Sequence, residues 1–510
     1  MKKRIVIIGA GPGGLTSAMI LAHRGFDVTV FEKQSTVGGR NAPLYLGDFR
    51  FDTGPTFLMM SYILKEMFEA TGRNVEDYLN FTYLDPLYRL QFGDIDFRPS
   101  PDHDKTYNEI NNLFPGNGDG FKKFMSRERL RFERLFPCLQ KDYSSYTAYL
   151  DRIFIKAIPH LAIGRSIIEN LGNYFTSELL KISFTFQSKY LGMSPWECPA
   201  LFTILPFIEH EYGIYHVEGG LNAISQAIAK VVREENGVIH TDMAVRRIIV
   251  ENREACGVEL SSGDRIDCDD VFINADFGYT MSELFEPGTL KKYTSERLSK
   301  MRYSCSTFML YLAVDKLYDN IPHHNIIFAD DYRRNLREIT KDLVVPDDPS
   351  IYIQNASVTD KTLAPSGKST IYILVPVANN FSGEQWDDIV PKFRDKVLDC
   401  AIRRGGLKDL TSHIIDERIV TPRDWQNDYA VFKGATFNLA HNFTQLLSFR
   451  PQNRFEEIGH CYLVGGGTHP GSGLPVIYES ARISCNSLSR FYGYPYEVPS
   501  TLGRKNLIGQ

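Results

Sequence analysis

Gly9, Gly11 and Gly14 fall in a G-x-G-x-x-G spacing, and Glu32 follows Gly14 by 18 residues. Small residues at that spacing let a backbone approach a pyrophosphate, and a carboxylate at that distance can accept hydrogen bonds from a ribose. The chemistry on offer is dinucleotide binding, provided that a strand precedes the glycines and a helix follows them. Residues 5–8 are a continuous apolar run suited to a strand buried on both faces of a parallel sheet. Leu15, Ala18, Met19 and Ala22 share one face of a helix that Gly25 can end, and residues 27–31 read as a second strand closing at Glu32. The helix start adds free N–H groups and a positive dipole end. A glycine-rich turn without a ligand is the bland alternative, and the strand, helix and acid together weigh against it.

Val37-Gly38-Gly39-Arg40 makes a second glycine turn whose arginine can reach the pyrophosphate, and Phe51-Asp52-Thr53-Gly54-Pro55 follows shortly. A nicotinamide domain has no use for this pair of motifs. With G-x-G-x-x-G and Glu32 they resemble the flavoprotein superfamily of amine oxidases, protoporphyrinogen oxidases and carotenoid desaturases. That resemblance implies FAD, with contacts from Gly38, Gly39, Arg40, Asp52 and Gly54, the last two close to the isoalloxazine. Residues 219–276 read as a helix, a strand at 238–241 and an antiparallel meander turning at Ser262-Gly263-Asp264. The resemblance returns this block to the FAD sheet and gives Val245 a backbone contact to adenine. Arg246 and Arg247 beside it read either as a phosphate patch or as exposed strand charges.

The C-terminal block repeats the logic of the first. Residues 461–464 read as a strand, Gly465, Gly466 and Gly467 as a turn, and 476–488 as a helix whose N-terminus can face a flavin. Gly471, Gly473 and Pro475 constrain the loop between them and leave backbone donors free. Such donors near flavin N1 and the C2 carbonyl stabilise the charge that develops on hydride acceptance. Gly434 to Phe437, Thr444-Gln445, Arg450-Pro451 with Asn453-Arg454, and the Gly467 to Pro475 run closely resemble the signature of the bacterial phytoene desaturase family. Amine oxidases usually carry an acid after the strand glycine; this chain has Gly466, and carotenoid desaturases commonly lack that acid too. His469 is the candidate catalytic base in this loop, since imidazole titrates near neutrality; a histidine that holds the loop by hydrogen bonds is the alternative. Arg450 either orients the loop or cofactor, or forms a structural ion pair.

The rest of the chain must frame these motifs. At 510 residues more than one core is expected, with an α/β Rossmann-like FAD domain of the amine-oxidase type interwoven with a substrate domain. The expected segments are 1–100 (FAD domain), 101–215 (apolar insertion), 216–280 (FAD domain), 281–425 (substrate-domain sheet and cap) and 426–510 (FAD domain). The insertion is rich in aromatic and aliphatic residues on helical spacing, which suits plain core or the shape-based binding of a long hydrocarbon. Residues 151–175 mix Arg152, Lys156 and Arg165 with Ile, Phe and Leu around Pro159, a pattern for a membrane surface or for ordinary packing. Asp102, His103 and Asp104 read as a solvated turn.

Composition excludes several classes. A hydrophobic fraction of 43% and a net charge of −5 describe a soluble globular protein without a nucleic-acid surface. The eight cysteines lack C-x-x-C or metal-ligand spacing, so no metal is expected and the thiols fit a reducing cytoplasm. No run reaches the roughly 18 apolar residues of a spanning helix, so cytoplasmic location is expected, with peripheral contact to the inner face of the cell membrane. There is no second G-x-G-x-x-G, which disfavours NAD(P)H. The resemblance implies an FAD-dependent enzyme that introduces C=C bonds into phytoene or dehydrosqualene, with oxygen or a quinone as terminal electron acceptor. A carotenoid isomerase, late-pathway dehydrogenase or terminal-methyl oxidase on the same fold is the alternative, and a non-catalytic prenyl-binding escort is the alternative of another class.

Overall fold

A computed structural model describes residues 2–499 of the chain; residues 500–510 of the expected last segment lie outside the described residues. The run read as a buried strand is Arg4–Ile8, central in a five-stranded parallel sheet ordered Cys461–Leu463, Asp270–Ile273, Arg4–Ile8, Asp27–Phe31, Val238–His240. Its side chains alternate between two cores. Ile5 and Ile7 pack toward the helices, and Val6 and Ile8 toward the opposite face. On the helix side, Pro12–His23 lies between Asn222–Glu234 and Leu474–Tyr492. On the other side sits the expected meander of Val245–Glu251, Glu254–Leu260 and Arg265–Asp267. Arg246 and Arg247 on its first strand pair with Glu259, so they are strand charges held by an ion pair.

The second sheet has seven strands in the order Ile414–Val420, Ser306–Val314, Ser369–Val377, Ile351–Asn355, His324–Ile327, Arg89–Phe92, Ile95–Phe97. One face buries Phe308, Leu310, Ile371 and Ile373 against Trp386 and Phe393 of the helix Trp386–Arg403. The other face turns Thr307, Met309, Tyr352, Tyr372 and Leu374 toward the first sheet, across a cavity.

Here the expected boundary at residue 100 fails. Arg89–Phe92 and Ile95–Phe97 belong to the second sheet, where Leu90 pairs in parallel with Ile326. Arg89 ties the edge down by donating to Asp96 and to the Gly405 carbonyl. The partner strand lies more than two hundred residues away, so no local pattern marks the crossing.

Residues 101–215 are helical, led by Gly118–Leu139, which buries Phe121, Phe124, Phe132 and Phe136. Asp102 is the N-cap of His103–Leu113 and accepts the N–H groups of Asp104 and Lys105.

Candidate functional site

Both glycine turns open on the cavity between the sheets. Its volume is about 440 Å³, within the range of small-molecule sites. Gly9 adopts φ +92° and donates its N–H to the Phe31 carbonyl at 2.8 Å, turning the chain directly above the first strand. Gly14 then packs the helix onto that turn: a Cβ there would stand 2.1 Å from the Gly9 oxygen. Gly11 is the N-cap of Pro12–His23 and supplies no side-chain cap, so the first-turn N–H groups remain open to a ligand. Glu32 is held at the wall, its carboxylate accepting the N–H of Ala10 at 2.7 Å and of Gln34 at 2.9 Å.

Of the residues expected at the site, Gly9, Gly11, Glu32, Gly39, Arg40, Gly54 and Val245 line the cavity, as do Gly465, Gly466, Gly467 and Gly473. Gly14 and Gly38 lie one layer behind it. Gly38 adopts φ +121°, where a Cβ would meet the Asn41 oxygen at 2.5 Å. Arg40 donates to the Thr436 carbonyl at 2.7 Å, joining the second glycine turn to the C-terminal block. Gly473 is the N-cap of Leu474–Tyr492 and, like Gly11, offers no side-chain cap. Two uncapped helix starts from opposite ends of the chain thus face one cavity. That donor set fits a dinucleotide with an electron-accepting ring at its far end.

Two expectations need correction. Asp52 does not line the cavity. Its carboxylate accepts the N–H groups of Leu221 and Asn222 and the Asn222 amide, all within 2.9 Å, and so anchors the start of Asn222–Glu234. Burial, opposed by those bonds, raises its pKa. His469 does not line the cavity either. Its ring sits edge-on to Tyr143, with centroids 5.1 Å apart, and burial pushes its pKa down to about 4. Its main chain does the work of the alternative reading: the N–H donates to the Pro451 carbonyl, and its carbonyl accepts from Asn453.

Arg450 is fully buried and forms the core of the loop. It donates to the main-chain carbonyls of Leu439, Ala440, Gln445, Gly466 and Thr468, and burial lowers its pKa to about 9. It is therefore the loop-orienting residue, and its partners are carbonyls and not a carboxylate.

Sequence reasoning missed three contributors to the wall. Asn274 ends the strand Asp270–Ile273, bonds the Gly9 carbonyl at 3.2 Å and sits 2.9 Å from where a Gly11 Cβ would be. Asp276 accepts from Asn438 at 2.7 Å, and burial, partly offset by Arg40, raises its pKa. Lys189 lies over the Tyr332 ring, and burial lowers its pKa to about 8. The polar pair at residues 274 and 276, standing just after an apolar strand, was the available signal for the first two.

Much of the remaining wall is apolar, with Phe57, Met59, Phe186, Leu191, Leu205 and Ile326 extending the cavity from the glycine turns. Fold and site define a flavin-dinucleotide oxidoreductase with a hydrocarbon-lined extension. The chain belongs to the flavin containing amine oxidoreductase family, whose profile matches residues 12–488. Within that family it lies among carotenoid desaturases. It is 53% identical over 488 residues to the 4,4'-diapophytoene desaturase (4,4'-diapolycopene-forming) of Methylomonas sp, covering 96% of this chain and 95% of that one. It is 36% identical over 484 residues to the zeta-carotene-forming phytoene desaturase of Myxococcus xanthus, covering 94% and 93%. An oxidoreductase from Methanosarcina mazei shares the fold at a TM-score of 0.63 and 18% identity, covering 96% of this chain and 100% of that one. The chain is thus an FAD-dependent oxidoreductase that acts on CH–CH groups in carotenoid desaturation.

Proposed function

We propose that the substrate is the linear C30 precursor 4,4'-diapophytoene (dehydrosqualene), and that the enzyme works at a membrane surface. The 53% identity to the Methylomonas enzyme over nearly the whole chain carries the chain-length assignment. A C40 phytoene substrate is the second reading, favoured by the Myxococcus relative.

When bound, FAD supplies the two-electron acceptor for hydride leaving an allylic carbon. Gly11 and the open N–H groups behind it would hold the pyrophosphate, Glu32 the ribose, Val245 the adenine and Arg40 the adjoining phosphate. The uncapped start of Leu474–Tyr492 and the Gly465 to Gly467 turn would supply main-chain donors to the ring. A polyene has almost no hydrogen-bonding handles, so the apolar wall binds it by burial and shape, at about 25 cal/mol per Å² removed from water. Arg450 and Asn453 keep the loop rigid, so its donors need no reorganisation during reaction. Oxygen or a quinone takes the electrons onward.

The membrane reading rests on residues 150–165. Leu150 is 77%, Ile155 53% and Ile163 68% exposed, beside Arg152, Lys156 and Arg165. Exposed aliphatic side chains among cations suit an anionic lipid interface. No helix among the described residues is long and apolar enough to cross a membrane.

The test is expression in bacteria that make either dehydrosqualene or phytoene, with pigment chromatography and the flavin spectrum of the purified protein. Coloured C30 polyenes with bound flavin support the assignment, whereas conversion of phytoene alone moves it to C40. Sedimentation with anionic vesicles tests docking: Ile155→Asp with Ile163→Asp should abolish it, and unchanged sedimentation would refute it.

A further inference from the structure

The second sheet carries a buried chain of histidines that begins at the cavity and ends at the surface. Tyr352 lines the cavity; its hydroxyl donates to Thr56 Oγ1 at 2.8 Å and lies 2.7 Å from His324 Nδ1. His324 is 2% exposed and lies tilted beside His323, with ring centroids 4.4 Å apart. His323 bonds Thr359 Oγ1 at 2.9 Å and lies 4.8 Å from the ring of His216. His216 in turn bonds Asp360 Oδ2 at 2.9 Å. Thr359 is half-buried, and Thr362, whose hydroxyl donates to Asp360, is exposed.

Stability alone accounts poorly for this cluster. His324 Nε2 and His216 Nδ1 are buried without hydrogen-bond partners. Leaving a buried polar atom unmet costs about 1–3 kcal/mol. The neighbouring cavity tyrosine behaves differently: Tyr372 donates to the Gly54 carbonyl at 3.0 Å and so braces the main chain. Tyr352 instead connects the substrate wall to bases.

We propose that Tyr352 and His324 form the proton exit of the desaturation, a role that rests on the desaturase reading above. Hydride departure removes two electrons from the substrate, to the flavin, and leaves a conjugated allylic cation. The adjacent C–H bond then breaks, and its electron pair becomes the new C=C bond. Its proton passes to Tyr352 Oη while the tyrosine's own proton swings away from Thr56 Oγ1 and passes to His324 Nδ1. His323, bonded to Thr359 and Gln354, is the next ring on the way to solvent, and a ring rotation must bring it within reach of His324 Nε2 before the imidazolium can release that proton. Thr56 orients the tyrosine and takes no proton.

The groups around His324 favour this direction. Burial, reinforced by His216, lowers its pKa to about 3, and burial with His324 and His216 holds His323 well below its usual value. Both rings are thus neutral at working pH and free to accept. A weak base suffices, because the allylic cation is a strong carbon acid. The buried Asp360, held below the usual carboxylate range against its burial by bonds from His216 and Thr362, supplies the negative charge at the outer end. Asp52 is the carboxylate whose charge reaches Tyr352.

The test uses flavin-loaded enzyme in vesicles with dehydrosqualene and, separately, phytoene. Tyr352→Phe and His324→Gln should each lower kcat about 100-fold, the low end for general acid–base catalysis, with KM and flavin content unchanged. The double variant should be no worse than either single one, since both break one path. Long-range nitrogen NMR should show the His324 ring changing tautomer balance in Tyr352→Phe. Wild-type turnover in His324→Gln, which can still bond Tyr352 but cannot carry a proton, would overturn the relay. So would loss of flavin in step with activity, which marks a structural role. Should Tyr352→Phe fail to fold, Thr56→Val reads the same path: a kcat loss at constant KM supports it, and no loss refutes it. A wild-type enzyme that converts neither substrate sinks the desaturase reading and the relay with it.

Discussion

Gly14→Ala tests whether the first glycine turn is built for close approach or merely tolerates glycine. The added methyl would stand 2.1 Å from the Gly9 carbonyl oxygen, and ordinary contact begins near 3.4 Å, so helix and turn must separate by more than 1 Å. Neither partner is a side chain that can swing away. Gly9 is held to Phe31 on one side, and its carbonyl is held by Asn274 on the other. Overpacking of this kind costs about 1–3 kcal/mol. The functional effect should be larger, because the open N–H groups of Pro12–His23 move with the helix, and a 1 Å misplacement can cost about 100-fold. Gly25→Ala is the control: its φ is +91°, yet nothing lies within 4 Å of a Cβ, so only backbone strain of about 1–2 kcal/mol is added. The assay is flavin absorbance per protein after purification, then titration of the apoprotein with FAD and a melting curve. Gly14→Ala should lose flavin and Gly25→Ala should keep it. Full flavin occupancy and unchanged melting in Gly14→Ala would refute the reasoning.

Three further outcomes follow, two from side chains described above and one from the buried His210. Arg450→Met leaves five carbonyls in a buried loop without their donor and should cost about 3–5 kcal/mol with loss of flavin, and Arg450→Lys should not rescue it, because an ammonium cannot fan out as a guanidinium does; melting temperature and flavin content report both. His469→Asn should keep turnover and flavin, since the ring faces Tyr143 and not the cavity; loss of kcat at constant flavin would restore a catalytic role. His210, with its pKa pushed down to about 3 by burial, binds a proton in the unfolded chain below about pH 6.5 but not in the folded one. Stability therefore falls as pH drops through that window, by about 1.4 kcal/mol per pH unit for this group. His210→Phe, stacking on Phe184 as the imidazole does, should shed that slope in urea titrations between pH 6 and 4.

The nucleotide half was legible because its signals are local. The apolar run at Arg4–Ile8, the glycines after it and Glu32 lie within one strand–helix–strand unit, and periodicity alone orders them. The C-terminal loop was legible as a chemical signature, but its internal wiring was not. That Arg450 would bond carbonyls while His469 turned toward Tyr143 depends on where residues 139–143 pack, which no spacing encodes. Asp52 misled for the same reason: a conspicuous acid beside a glycine turn looks like a ligand contact until Asn222 is known to sit opposite it. Arg89–Phe92 and Ile95–Phe97 joined a sheet whose remaining strands all lie at or beyond Ser306, and parallel pairing over that distance leaves no trace in a four-residue segment.

The order of the parallel sheet has a consequence for how the enzyme is made. Its central strand, Arg4–Ile8, takes Asp270–Ile273 as a neighbour, and that strand takes Cys461–Leu463 as its own. At about 5–20 residues per second, a ribosome needs roughly 20 to 90 seconds between emitting the first of these and the last. Throughout that interval the nascent chain carries a half-built sheet with an open edge, and the second uncapped helix start does not yet exist. The cavity, lined from both ends of the chain, is therefore complete only at the end of synthesis, once Cys461–Leu463 has paired with Asp270–Ile273 and the loop around Arg450 has formed.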